Sequence, residues 1–407
     1  TGFGQTGPLR LLRDGHRSGK SRRDEDSEVD VIKRLCALVV LLSVLGCSTS
    51  RPEITETSLT DDTPVTGQRV YMEVNSITDN PPMTYSWTAS GGTFEQLQDY
   101  PQAVYWKAPD SAGRYEIRVV VTDSDGNSTT HAFTLEVEER SLKSDLLPEG
   151  ASALCLAKQS DSYVGGVWVS VGGAKIRYLN SQTSRESIWE KDFSVMVARQ
   201  SEATGYYTIW GASAGSRSIT MLTSEAASTL SCNTCGAFDV IRALAVDVLN
   251  PSVLWVGSDS YLSYFNLESG HWTAYIPVKV YGLSEGPDYV YAATENGIYR
   301  LDGGTVPITT QKATAVLAAG GAEGTVVWSV SGGKVFRNAV ALSSQPGVVV
   351  DSLDEDISGG VWCGKYRWDG SNWTAVEGLE SVRIVKSVAS TEGLIYLLSD
   401  SGVLYRW

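Results

Sequence analysis

Seven short apolar segments, each built around one aromatic residue, recur along the C-terminal part of this 407-residue chain. In each segment the aromatic residue is followed by small or apolar residues, as in Leu254–Gly257 and Val361–Gly364. The aromatic residues are Trp168, Trp210, Trp255, Tyr291, Trp328, Trp362 and Tyr396, and they are 42, 45, 36, 37, 34 and 34 residues apart. A recurrence of this length indicates one supersecondary unit that is repeated along the chain.

Each repeat contains more than its aromatic segment. An apolar segment precedes it, a turn and a further strand such as Ile298–Leu301 follow it, and most copies add a fourth segment such as His271–Tyr275. Four-stranded propeller blades repeat about every 40 to 45 residues, and a twisted sheet buries both faces only when it stacks against neighbours. The sequence therefore predicts an all-β chain with a seven-bladed β-propeller over residues 141–407. The seven aromatic residues are predicted to fill the core between blades.

The last repeat ends after its third strand. We expect Ser141–Pro148, which lies just before the first repeat, to supply the missing fourth strand. Such an addition would close the ring and remove sheet edges that could otherwise pair with another chain.

An earlier stretch, residues 67–140, has a different periodicity. Apolar and polar residues alternate with a period of two, so that Val70, Met72 and Val74 share one face. Several short alternating runs separated by turn residues predict an antiparallel, immunoglobulin-like β-sandwich. Residues 48–66 are rich in Thr, Ser, Pro and Asp and are predicted to be a linker.

The order of five segments within this stretch resembles the bacterial immunoglobulin-like modules of the PKD and cadherin-like type. The segments are Tyr85–Trp87, Gly91–Gly92, Trp106–Pro109, Ala112–Tyr115 and Val121–Asp123. The resemblance implies the same sandwich fold.

Three polar residues in the sandwich have two interpretations. Asp123, Asp125 and Asn127 offer side-chain oxygens at alternating positions, as a calcium site requires. The same residue types favour a hairpin turn. We favour the turn, and we predict no metal or other cofactor for this chain.

The N-terminal part of the chain falls into two segments. Residues 1–30 are polar and charge-dense, and they are predicted to be disordered or to be upstream read-through. Next, Lys33 and Arg34 precede a mainly apolar run, Leu35–Leu45. This run is shorter than the ~20 residues that cross a bilayer, and its length is typical of a signal-peptide core.

Residues 31–47 resemble a bacterial lipoprotein signal peptide, because the basic pair, the apolar core, Gly46 and Cys47 occur in the required order. The resemblance implies that Cys47 is acylated and anchors the chain to a membrane. Ser48 stands where an aspartate would retain a lipoprotein in the inner membrane. The implied location is therefore the outer membrane, on the periplasmic side or at the cell surface.

Two of the repeats resemble the two-component-regulator propeller repeat. Asp351–Gly364 has its acidic turn, glycine and aromatic core, and Leu254–Ser258 followed by Tyr264–Asn266 matches it again. Members of that family are extracytoplasmic sensor parts of signalling proteins that respond to glycans or their breakdown products. The resemblance implies a binding role for this chain.

Residues suited to catalysis are few. Of the three histidines, His131 and His271 follow the predicted signal peptide, and His271 falls on the outermost strand of its repeat, where a surface position is the simpler interpretation. Cys232 and Cys235 are predicted to form a small loop-closing disulfide, since an extracytoplasmic compartment is oxidising. Cys155 and Cys363 fall within strands and are predicted to be buried apolar fillers.

The formal net charge of −14 argues against a nucleic-acid partner, because binding phosphates requires a basic surface. We therefore predict a noncatalytic, lipid-anchored binding protein whose propeller presents a surface to a glycan or an envelope protein. Two alternatives stay open. One is a propeller lyase or hydrolase that acts on a polysaccharide or small molecule, and the other is an envelope-assembly scaffold that binds partners by strand addition.

Overall fold

The structure, a computed structural model, describes residues 50–144, 146–158, 165–181, 184–200, 206–223, 226–231, 239–302, 304–322 and 324–407. Internal contacts divide the chain into Thr1–Arg51 and Pro52–Trp407, and the fold below belongs to the second unit. Every regular element in the described ranges is a β-strand, so the predicted all-β class is confirmed. None of these residues belongs to a helix that could cross a bilayer. The predicted signal peptide with Cys47 lies outside the described residues.

The first seven strands form two antiparallel sheets. One sheet has the order β1 (Glu53–Leu59), β2 (Arg69–Ile77), β5 (Ala103–Lys107) and β4 (Thr93–Gln96). The other has the order β3 (Thr84–Ala89), β6 (Gly113–Thr122) and β7 (Ser128–Val137). Alternate residues of both sheets, among them Val70, Val119 and Leu135, are fully buried in one shared core. We call these two sheets the sandwich module.

The predicted linker, residues 48–66, contains a strand. Glu53–Leu59 pairs with β2 along its whole length, and Ile54 and Leu59 pack against the shared core. The Thr- and Ser-rich composition suggested a flexible tether, but threonine and isoleucine have high strand propensity, and the open edge of β2 provides a partner for them.

One glycine of the sandwich module is required by packing. Gly92 has a φ of +79° and lies against β5, where an added Cβ would come 2.5 Å from the carbonyl oxygen of Lys107 and 2.6 Å from Nε1 of Trp106. Because this indole nitrogen also donates to the carbonyl oxygen of Gly91 at 2.9 Å, the Gly91–Gly92 turn and the buried Trp106 fix each other.

The remaining strands form seven consecutive antiparallel meanders, which we call sheets 1 to 7. The first two are joined into one eight-stranded sheet, because Ala157–Lys158 pairs in parallel with Ala198–Arg199. Sheet 1 contains β8 (Ala151–Lys158), β9 (Val167–Val171), β10 (Lys175–Leu179) and β11 (Ser184–Glu190). Sheet 2 contains β12 (Val195–Gln200), β13 (Tyr207–Ala212), β14 (Ser218–Leu222) and β15 (Ala227–Ser231). Sheet 3 contains β16 (Ile241–Val246), β17 (Val253–Ser258), β18 (Leu262–Asn266) and β19 (His271–Ile276).

The other four sheets follow the same plan. Sheet 4 contains β20 (Val280–Glu285), β21 (Val290–Thr294), β22 (Gly297–Leu301) and β23 (Thr305–Thr309). Sheet 5 contains β24 (Ala315–Gly321), β25 (Gly324–Ser331), β26 (Lys334–Arg337) and β27 (Val340–Ala341). Sheet 6 contains β28 (Leu353–Glu355), β29 (Val361–Cys363), β30 (Tyr366–Trp368) and β31 (Trp373–Ala375). Sheet 7 has three strands, β32 (Ile384–Ala389), β33 (Ile395–Ser399) and β34 (Leu404–Arg406).

The first strands of the seven sheets contact one another in a cycle. Each contacts the first strand of the next sheet, and β32 of sheet 7 contacts β8 of sheet 1. Side chains reinforce the contacts between neighbours: the amide of Val246 donates to Oε1 of Glu285 at 2.9 Å, and the amide of Ala389 donates to Oδ2 of Asp354 at 2.7 Å. The contacts among the first strands therefore form a closed cycle, which we call the ring.

The seven aromatic residues found in the sequence lie on the second strand of their sheets, and each packs into an apolar cluster shared with the next sheet. Trp362, for example, clusters with Ile384 and Ile395 of sheet 7, and Tyr396 of sheet 7 clusters with Leu154 and Val167 of sheet 1. The other five clusters contain Trp168, Trp210, Trp255, Tyr291 and Trp328. Trp168 alone among the seven is only partly buried. These contacts explain why the period is visible in the sequence.

Sheet 7 is completed by one residue from the segment predicted to close the ring. Lys143 pairs with Arg406 in an isolated antiparallel bridge, in which each amide donates to the other residue's carbonyl oxygen at 2.9 Å. The segment Ser141–Pro148 thus contributes one bridge and not the full strand that the sequence suggested.

Candidate functional site

A cavity lies inside the cycle of first strands and reaches residues at the starts of several of them. Its volume is about 350 Å³, and every one of the seven first strands contributes to its lining. We define the mouth as the residues at the starts of the first strands that line this cavity, namely Ser194, Arg242, Tyr281, Thr314 and Asp351. The cavity lies on the central axis of the ring, which is a usual place for a ligand site in a closed β-fold.

Three charged groups form one network beside the mouth. Arg242 donates from Nε and Nη2 to the two carboxylate oxygens of Asp259, at 3.1 and 2.9 Å, and Nζ of Lys279 lies 2.9 Å from Oδ1 of Asp259. The hydrogen bonds from Arg242 and then Lys279 lower the pKa of Asp259 to about 2. The carboxylate therefore stays ionised at neutral pH, and the network carries a net charge of +1.

The Tyr281 ring lies beside this network. Nζ of Lys279 is 5.5 Å from the ring centroid, and Nζ of Lys312, an exposed residue, is 5.0 Å from it. Two ammonium groups near one aromatic ring are in cation–π range. The mouth supplies an aromatic ring, one cationic group and the carboxylate of Asp351, and Lys279, Lys312 and Asp259 lie beside it.

Deeper in the cavity, three ionisable side chains are buried or engaged by the backbone. Burial raises the pKa of the Cys155 thiol to about 12, so it stays protonated and unreactive at neutral pH. Burial also lowers the pKa of Lys386. Oδ2 of Asp354 is engaged by the amide of Ala389. These groups shape the cavity wall.

The sandwich module contacts sheet 7 at the end opposite the mouth. The amide of Arg69 donates to the carbonyl oxygen of Glu392 at 2.8 Å, and Nη1 of Arg140 donates to the carbonyl oxygen of Gly393 at 2.9 Å. Both acceptors lie in the turn between β32 and β33, whereas the mouth lies where β32 begins. The sandwich module therefore makes these contacts away from the mouth.

The calcium candidates form a turn. Oδ1 of Asp123 accepts from the amides of Asp125 and Asn127 at 3.0 and 2.9 Å, and its Oδ2 accepts from Nδ2 of Asn127 at 3.2 Å. Burial opposes ionisation of Asp123, but these hydrogen bonds outweigh it and lower its pKa. No cluster of three or more potential metal ligands occurs in the described ranges.

The other residues singled out in the sequence do not meet at one place. His271 is exposed on β19, the outermost strand of sheet 3. Cys155 and Cys363 are buried free thiols, as predicted. Cys232 and Cys235 lie outside the described residues.

The residues of the mouth were missed in the sequence because five different sheets supply them. Arg242, Tyr281 and Thr314 stand at equivalent places, at or just before the first strand of sheets 3, 4 and 5. That repeat position is the signal that could have found them, since the starts of the innermost strands converge on one face of a ring.

Comparison with known proteins gives a partial likeness only. No family model matches the chain, and no curated protein matches it. Among solved structures, it is similar to the extracellular domain of BT4673 from B. thetaiotaomicron, with 15% identity, a TM-score of 0.47, and coverage of 65% of this chain and 40% of that one. A second is the extracellular domain of the hybrid two component system BT3049 from B. thetaiotaomicron, with 15% identity, a TM-score of 0.34, and coverage of 86% and 52%. The chain spans about two fifths of the length of the first structure. These scores are too low to carry an argument, so the proposal below depends on the geometry of this chain.

Proposed function

We propose that this chain is a noncatalytic, lipid-anchored binding protein of the cell envelope, in which an immunoglobulin-like sandwich is joined to a seven-bladed β-propeller. The cycle of contacts among the seven first strands supports the propeller. The two sheets that share one core support the sandwich. The anchor depends on the lipoprotein-like segment that ends at Cys47.

The observation that carries the binding role is the composition of the mouth. A binding site needs a concave surface with a few converging polar groups and an apolar contact. Tyr281 offers a partly buried ring face, while Arg242 and Lys279 are held in place by the ionised Asp259. A glycan fits these features, because its hydroxyl groups hydrogen-bond to charged side chains and its apolar ring face packs on an aromatic ring.

The two alternatives have weaker support. A lyase or hydrolase with a histidine base would need that base at the cavity, but His271, the candidate found in the sequence, does not line it. A scaffold that works by strand addition would need an open outer edge. The outer strand of sheet 4 exposes Val306 and Ile308, but Pro307 between them has no amide to pair with an added strand.

The proposal is tested by screening the purified chain on a glycan array and titrating its strongest ligand by calorimetry. Because Tyr281 supplies the apolar contact, Tyr281→Ala should weaken binding about tenfold or more. Lys279→Gln should also weaken it.

The matched control is Tyr100→Ala, which removes an exposed tyrosine of the sandwich module and should leave the affinity unchanged. The proposal is wrong if no glycan binds, or if Tyr281→Ala and Tyr100→Ala bind the ligand as tightly as the unaltered chain.

A further inference from the structure

A second cavity lies at the junction between the sandwich module and the ring. Its volume is about 400 Å³, which is within the range of roughly 300 to 1,000 Å³ that is usual for small-ligand sites. Residues of the sandwich module, of the connecting segment and of sheets 1 and 7 line it. It is separate from the cavity at the mouth, with which it shares no lining residue.

Three cationic side chains face this cavity, those of Arg140, Lys143 and Arg406. Arg140 donates four hydrogen bonds, all to backbone carbonyl oxygens, those of Thr66, Gly393 and Trp407. Arg406 likewise donates to the carbonyl oxygens of residues 180 and 181. None of the three cations forms an ion pair with a carboxylate in the part of the chain that the structure describes.

Backbone dipoles thus orient the two arginines without neutralising them. Arg140 is partly buried, and this burial lowers the pKa of its guanidinium to about 10. Asp61 and Glu138 also line the cavity. Three cations against two carboxylates leave a net charge of +1 around it. A desolvated positive charge of this kind favours an anion nearby.

A fourth group at the cavity is a hydroxyl. Oγ of Ser181 is buried and has no hydrogen-bond partner among the described residues, although the residue lines the cavity. Its amide donates to Oε2 of Glu392 and its carbonyl oxygen accepts from Arg406, so its position is fixed. A buried hydroxyl without a partner is uncommon and costs stability unless something in the site satisfies it.

From these observations we propose that the junction cavity binds a small oxyanion, a carboxylate or a phosphate group, between Lys143, Arg406 and Ser181. Lys143 and Arg406 supply charge and donors, and the Ser181 hydroxyl donates a further hydrogen bond. Since Lys143 belongs to the segment that connects the two modules, a bound anion joins this segment to sheets 1 and 7. The site is independent of ligand binding at the mouth.

The test uses inorganic phosphate and citrate as probes, because they present the two oxyanion types. Binding to the full chain is followed by calorimetry and by the midpoint of thermal unfolding, with sodium chloride at matched ionic strength as the reference. A ligand that binds only the folded state raises this midpoint. We expect saturable binding of at least one probe, and a higher midpoint with that probe than with sodium chloride.

Lys143→Gln and Ser181→Ala keep the backbone bridge and the Arg140 contacts, so they should fold. Each should weaken binding of the probe about tenfold, the equivalent of one charge-assisted hydrogen bond. Lys312→Gln removes a cation at the mouth and should bind the probe unchanged. The proposal is overturned if neither probe binds saturably, or if Lys143→Gln and Ser181→Ala bind as the unaltered chain does.

Discussion

Asp356 is the residue whose replacement most sharply tests how the inter-sheet aromatic residues are held. It lies in the turn after β28 and is almost fully buried. Oδ2 accepts from Nε1 of Trp362 at 3.0 Å and from Nε of Arg367 at 2.6 Å, while Oδ1 accepts from the amides of Ser358 and Gly360 at 2.9 and 3.0 Å. One carboxylate therefore fixes the turn, the neighbouring strand and the indole that packs against sheet 7.

The cost of losing this charge follows from the pKa of Asp356. Burial opposes ionisation, but the hydrogen bonds from Arg367, Ser358 and Trp362 outweigh it and lower the pKa from 3.8 to about 2. Because one pKa unit corresponds to ~1.4 kcal/mol, the ionised form contributes about 2 kcal/mol to the free energy of unfolding. Asp356→Asn keeps the shape and removes the charge. We expect it to lower the free energy of unfolding by about 2 kcal/mol at neutral pH.

The assay is urea denaturation followed by tryptophan fluorescence, from neutral to acidic pH. A group whose pKa is lowered by folding stabilises above its unfolded pKa, and this stabilisation is lost as the pH falls through the folded value. The difference between the unaltered chain and Asp356→Asn should therefore shrink between pH 3.8 and about 2. The control is Asp400→Asn, an exposed residue just after β33, which should change the free energy of unfolding by less than about 0.5 kcal/mol. Equal stability of Asp356→Asn and the unaltered chain, or a difference independent of pH, would refute the reasoning.

Two further predictions concern buried charges in sheets 6 and 7. The buried ammonium of Lys365 donates to three backbone carbonyl oxygens in residues 379–382, so Lys365→Met should lower the free energy of unfolding by about 2 to 4 kcal/mol in urea denaturation. Lys334→Met, at an exposed position, should change it by less than about 0.5 kcal/mol, and similar values for the two variants would contradict the prediction. Burial raises the pKa of Glu392 from 4.5 to about 8, so the folded state holds the carboxyl proton of Glu392 more tightly than the unfolded chain does. The free energy of unfolding therefore falls as the pH rises from about 4.5 to about 8, by up to ~1.4 kcal/mol per pH unit. Glu392→Gln removes this loss, so its stability relative to the unaltered chain should increase between about pH 5 and about pH 8. Parallel profiles of unfolding free energy against pH for the two chains would disprove the raised pKa of Glu392.

The sequence was most informative where packing repeats. The spacing of the aromatic residues is visible because every sheet places one such residue against the next sheet, and each cluster needs a large apolar side chain at that place. The alternation in residues 67–140 is visible for the same reason, since one face of each strand meets a shared core.

Other features were hidden because they depend on contacts between distant segments. The strand Glu53–Leu59 has a composition suited to a tether, and pairing with β2 decides its structure. The mouth unites Arg242, Tyr281 and Thr314 from three of its sheets, and only their shared repeat position marks them. The junction cavity unites Lys143 with Ser181, and no local pattern in the chain marks that combination.

Ligand binding at the mouth of the ring can be located by hydrogen–deuterium exchange of the full chain, with and without the glycan identified on the array. We expect slower exchange on ligand addition in residues 279–285 and 312–317, around the first strands of sheets 4 and 5. Protection confined to the sandwich module or to the outermost strands, with these two segments unchanged, would contradict this expectation.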